Sequence, residues 1–136
     1  MNSIIKCKYG EIDISEYPII ILKAEPRVPS AEETEDTIYK LKSLYERTHG
    51  KFVLLIDSTN ITKVKSDARE TLAIGLQALE TRFQSRQMRT IVYTSNFGLR
   101  IILNITMLLI KPVVKINIFS NLDNAYKRAR EIVSEF

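Results

Sequence analysis

Phe52-Val53-Leu54-Leu55-Ile56, followed by Asp57-Ser58-Thr59-Asn60, is the stretch that decides the fold. An unbroken apolar run of strand length leaves no face for water, the pattern of a central strand in a sheet covered by helices on both sides. Upstream of it, Ser30-Ala31-Glu32-Glu33 has the S-x-x-E form of a capping box, which predicts a helix start. Glu32, Glu33, Glu35 and Asp36 suit the positive end of that helix, Ile38, Leu41, Leu44 and Tyr45 form its apolar stripe, and His49-Gly50 ends it. Downstream, Asp67 and Glu70 are spaced as a second capping box. Ala68, Leu72, Leu76, Leu79 and Phe83 then recur at helical spacing. Helices on both sides of the central run imply crossover connections, and crossovers join parallel strands.

Further out, Ile5, Cys7 and Tyr9 alternate with Lys6 and Lys8, and the phase changes at Gly10 before Ile12 and Ile14, as at a bulge or a tight turn. Residues 19–22 are β-branched and apolar and predict a more buried strand, closed off by Pro26 and Pro29. Towards the C-terminus, Thr90-Ile91-Val92-Tyr93 predicts a strand, Ser95 or Asn96 a helix cap, residues 97–111 a helix stopped by Pro112, and residues 113–119 a last strand. Ser120 with Asp123 is the expected cap of a closing helix with the stripe Leu122, Ala125, Ala129, Ile132 and Phe136. The expectation is a single α/β domain over residues 1–136, in the order ββαβαβαβα, with a mixed sheet of about five strands and four helices.

Composition agrees with one soluble globular domain: 136 residues, 45% hydrophobic and 26% charged. A chain of this length buries roughly two thirds of its unfolded surface, enough for a core without metal or disulfide. The lone Cys7 can form neither an internal disulfide nor a zinc cage, and it points to a reducing compartment. The first residues carry no basic segment followed by a long apolar one, so the expected location is cytoplasmic. The most apolar stretch, 97–110, contains Arg100 and is shorter than the ~20 residues a membrane span needs. The net charge of +4 comes from the second half of the chain: no acid lies between Glu80 and Asp123, whereas Arg82, Arg86, Arg89, Arg100, Lys111 and Lys115 do.

The strand at 53–57, the loop Thr59-Asn60-Ile61-Thr62 and the helix start at Ser66, set in this element order, resemble the STAS or SpoIIAA-like family, which includes bacterial anti-sigma-factor antagonists. In the antagonists a D-S-[ST]-G-[LV] motif opens that helix and its first Ser is phosphorylated. Ser66 occupies the phosphoacceptor position, but Lys65, Asp67 and Ala68 stand where the motif has Asp, Ser and Gly. The resemblance is thus to a divergent branch. That branch implies no established activity; the expectation is a non-catalytic interaction or regulatory module, with Ser66 outside any phospho-switch.

The residues themselves argue against an enzyme. His49, the lone histidine, adjoins a helix-ending Gly without a nucleophile motif beside it, and one His and one Cys far apart make no metal site. No Gly-rich loop cradles a nucleotide phosphate, and no cofactor is expected. Strand ends should gather a polar site of Asp57, Ser58, Ser66, Arg69, Ser95, Asn96 and Arg100, which reads either as caps and turns or as an anion site at helix N-termini. The helix at 97–111 has two apolar faces. Phe97, Ile101, Ile105 and Leu108 form one; Leu99, Leu103, Met107 and Ile110 form the other.

A helix lying on a sheet needs one apolar stripe, and four wet aliphatics would each forgo roughly 1.5–3 kcal/mol of burial. Unless neighbouring helices of its own domain cover it, the second face therefore predicts a homodimer. The alternative is a bound apolar or anionic lipid, or a membrane surface or acidic protein partner met with the basic flank of Arg82, Arg86, Arg89 and Lys111. Nucleic acid is disfavoured, because no exposed aromatics interleave these basic residues.

Overall fold

The structure, a computed structural model, describes residues 3–59, 61, 63–109 and 113–136, and of residues 103 and 105–109 the backbone alone. Among the described residues there are six strands and four helices. In chain order they are β1 (Ile4–Lys6), β2 (Glu11–Asp13), β3 (Ile19–Lys23), α1 (Ala31–Arg47), β4 (Phe52–Asp57), α2 (Ser66–Arg82), β5 (Gln87–Tyr93), α3 (Phe97–Leu109), β6 (Ile116–Phe119) and α4 (Leu122–Ser134). The strands lie side by side in sequence order, β1 to β3 antiparallel and β3 to β6 parallel. The sheet therefore has one strand more than expected. The extra strand comes from Gly10, where a positive φ of 75° closes a tight turn and splits the first segment into the hairpin β1–β2.

The apolar run at 52–56 is β4, buried throughout and paired with parallel strands on both sides. Its side chains alternate between two cores. Phe52, Leu54 and Ile56 join Ile20 and Leu22 beneath Leu41, Leu44 and Tyr45 of α1 and Leu76 and Leu79 of α2. Val53 and Leu55 join Ile19, Ile21, Ile91 and Tyr93 against Ala125, Ala129 and Ile132 of α4. Small residues on α4 let it lie close to the sheet; of its expected stripe Ala125, Ala129 and Ile132 are buried, Leu122 is partly buried and Phe136 is exposed. No helix of the described residues is long and apolar enough to cross a membrane.

Cap chemistry follows the sequence at α1, where Ser30 and Glu33 exchange both capping-box bonds. It differs at two other starts. The N-cap of α2 is Lys65, with no side-chain bond, because the helix begins one residue before Asp67, whose carboxylate accepts from Ala68 N–H instead. The N-cap of α4 is Asn121, accepting from Asn124 N–H, in place of Ser120. At α3, Asn96 Oδ1 accepts from Leu99 N–H at 2.9 Å.

β5 also starts three residues earlier than its apolar signal. Its pairing with β4 slips between Phe52 and Val53, so that Gln87 faces Phe52 while Arg89 faces Val53. This bulge at Met88 turns Gln87 and Thr90, three residues apart, to the same side of the sheet as Phe52 and Leu54.

Candidate functional site

Between α1, α2 and the sheet lies a cavity of about 160 Å³. Leu22, Ile56 and Val92 of the sheet, Leu72, Ala73 and Leu76 of α2, and Leu99 of α3 give it apolar walls. The geometry follows from spacing. Residues 72, 73 and 76 share one stripe of α2, and residues 22, 56 and 92 are register neighbours on one sheet face. Lys23, Ser58 and Arg69 line its end at the C-terminal edge of the strands, together with Ile61 and Val64 of the loop before α2.

At the opposite end the lining is polar and deeply buried. Glu80 is 1% exposed. Its Oε1 accepts from Val113 N–H and Val114 N–H at 3.2 Å each, and its Oε2 accepts from the Thr90 hydroxyl at 3.1 Å. Thr90 Oγ1 accepts in turn from Gln87 Nε2 at 2.8 Å, a contact the bulge makes possible. Burial pushes the Glu80 carboxyl above its ordinary range, and its three donors pull in the other direction without cancelling the effect. Nearby on α1, Tyr45 is fully buried with its hydroxyl unpartnered. Burial, and then the charge of Glu80, push that hydroxyl up, so it stays neutral. Tyr9, which also lines the cavity, is pushed up to about 12 by burial and donates to the carbonyls of Glu25 and Arg27.

The expected strand-end cluster is only partly brought together. Ser58, which is buried, and Arg69 line the cavity. Asp57 is spent on its own turn, accepting from the N–H and hydroxyl of Thr59. Asn96 caps α3, Ser66 and Ser95 are exposed, and Arg100 lies over the Phe97 ring beside a shallow groove against β6. The cluster thus divides between helix starts, turns and the mouth of the cavity.

The basic flank is dispersed. Arg82 pairs with Glu46 at 2.8 Å, and Arg89 donates to Asn117 Oδ1 at 2.7 Å. Arg86 donates to the carbonyls of Tyr45 and Gly50 and to Thr48 Oγ1, so it closes the C-terminal end of α1. Each of these three guanidiniums thus has a partner within the chain. Lys111 lies outside the described residues.

The apolar faces of α3 are also assigned differently. Leu99, expected on the uncovered face, is 6% exposed and points into the cavity, whereas Phe97 is 67% and Ile101 45% exposed. At 100° per residue, an inward Leu99 necessarily turns 97 and 101 outward. The side chains of Leu103 and Met107, and Ile110 altogether, lie outside the described residues.

The sequence reading missed Glu80, although its spacing from Leu76 is the i, i+4 step of the buried stripe of α2. That position was the available signal. His49 is exposed, and its carbonyl accepts from the Tyr17 hydroxyl. Among the described residues no three His, Cys, Asp or Glu side chains gather to hold a metal ion. Comparisons with family models, curated proteins and solved structures return no match to the chain.

Proposed function

We propose that this chain is a non-catalytic, SpoIIAA-like binding module that carries or senses a compact apolar molecule held between α1, α2 and the sheet. The observation that carries the reading is the cavity of about 160 Å³ with apolar walls. A space of this size with aliphatic walls matches one small ring: an enclosed void of ~150 Å³ lined by Leu, Ile and Phe binds benzene. The cavity here is partly open to solvent, so a ligand has a way in. Apolar area that the ligand removes from water contributes roughly 25 cal/mol per Å², and a cytoplasmic sensor of small molecules would use it. The hairpin, the parallel order from β3 to β6 and the helix placement support the SpoIIAA-like reading of the fold.

Toluene titrated into the purified protein and followed by thermal denaturation should raise the melting temperature. Ala73→Leu, which fills the void from α2, should abolish that response and stabilise the unliganded protein by about 1 kcal/mol. A toluene response retained in the filled variant would contradict the reading.

A second reading, a homodimer through α3, is favoured by the outward Phe97 and Ile101. The two readings are compatible, because they use opposite faces of the same helix.

A further inference from the structure

The floor of the cavity differs chemically from its walls. Both oxygens of Glu80 accept hydrogen bonds, and all three partners are neutral donors: two backbone N–H groups and the Thr90 hydroxyl. Gln87 donates to Thr90 Oγ1 and thereby favours directing the threonine proton toward Glu80. A carboxylate, which accepts at about four positions, can use every one of these donors. Three donors leave one acceptor position on the group. Among the described residues no basic side chain forms an ion pair with Glu80.

Buried carboxylates are ordinarily paired, because neutral dipoles restore only part of the hydration lost. Here Glu80 and Thr90 line the same void as Leu72, Leu76, Val92 and Leu99. A cation arriving on a small hydrocarbon would satisfy both parts of that lining at once. A carboxylate on the same hydrocarbon would set like charges together.

Resting on the reading of the cavity as a ligand site, we propose that its occupant is a compact apolar ammonium, a primary amine on one ring or a short branched chain. Its nitrogen donates to Glu80 Oε2 and Thr90 Oγ1, and its hydrocarbon lies against α2, β5 and Leu99. Glu80 is then the residue that selects among apolar molecules of equal size.

Calorimetric titration of the whole chain with benzylamine, toluene and benzoate at neutral pH tests this. Benzylamine should bind about tenfold more tightly than toluene, the worth of one charge-assisted hydrogen bond, with benzoate weakest. Glu80→Gln should erase the tenfold advantage of benzylamine over toluene. If benzylamine binds no tighter than toluene, or benzoate binds best, the proposal is overturned while the apolar site stands. If none of the three binds, both are overturned. A Glu80→Gln protein that keeps the preference also overturns the assignment. Should that variant fail to fold, the three ligands on the unaltered chain decide the question alone.

Discussion

Glu80 uses its hydrogen-bonding capacity to hold the segment entering β6 against α2, and its titration should be visible in the stability of the fold. Its carboxyl is raised above the ordinary 4.5, chiefly by burial, so the folded chain holds the proton more tightly than the unfolded one. The stabilising contribution is therefore complete below about 4.5 and declines as pH rises through the folded value. Glu33 has the opposite sign. Its bonds from Arg27 and Ser30 hold it at about 2, so its contribution is present above 4.5 and is lost as pH falls toward 2. In urea unfolding across pH, Glu80→Gln should cost on the order of 1 kcal/mol near pH 4.5, and the cost should shrink as pH rises. A difference between the two proteins that is constant with pH would contradict this account. Tyr45, the titratable neighbour on α1, stays neutral throughout and leaves the window to Glu80.

At the scale of elements, α3 carries the prediction about assembly. With Leu99 turned inward, charge placed at residues 97 and 101 leaves the cavity untouched. Phe97→Glu with Ile101→Glu should convert a dimer to a monomer in light scattering without altering the toluene response. A chain that is monomeric before substitution would contradict the dimer reading. Elements were legible where one local force dominates. The run at 52–56 could satisfy its apolar side chains only as a doubly covered strand, and Ser30 with Glu33 could cap only one helix start. They were less legible where several local donors compete, as at Lys65 and Asn121, and where strand pairing itself sets the geometry. Nothing in the segment 87–90 announces a bulge, because the slip against Phe52 depends on the neighbouring strand. The outward face of α3 was ambiguous for the same reason: a helix apolar on two sides can be placed only by what it packs against.

Taken as a whole, the molecule covers one side of its sheet with α4 and leaves a void on the other, beneath α1 and α2. Ala125 and Ala129 bring α4 close to the strands, whereas on the opposite side the larger residues of α2 enclose space without filling it. No periodicity in a single chain reveals such a void, because it depends on the separation between layers. The central claim is that a compact apolar molecule belongs there. Methyl-resolved carbon–proton spectra of the protein recorded with increasing toluene test it most directly. The account predicts saturable shifts concentrated on Leu22, Ile56, Leu72, Leu76, Val92 and Leu99, while the methyls of Ile101 and of α4 stay in place. Shifts centred on Ile101, or no saturable shifts at all, would contradict it.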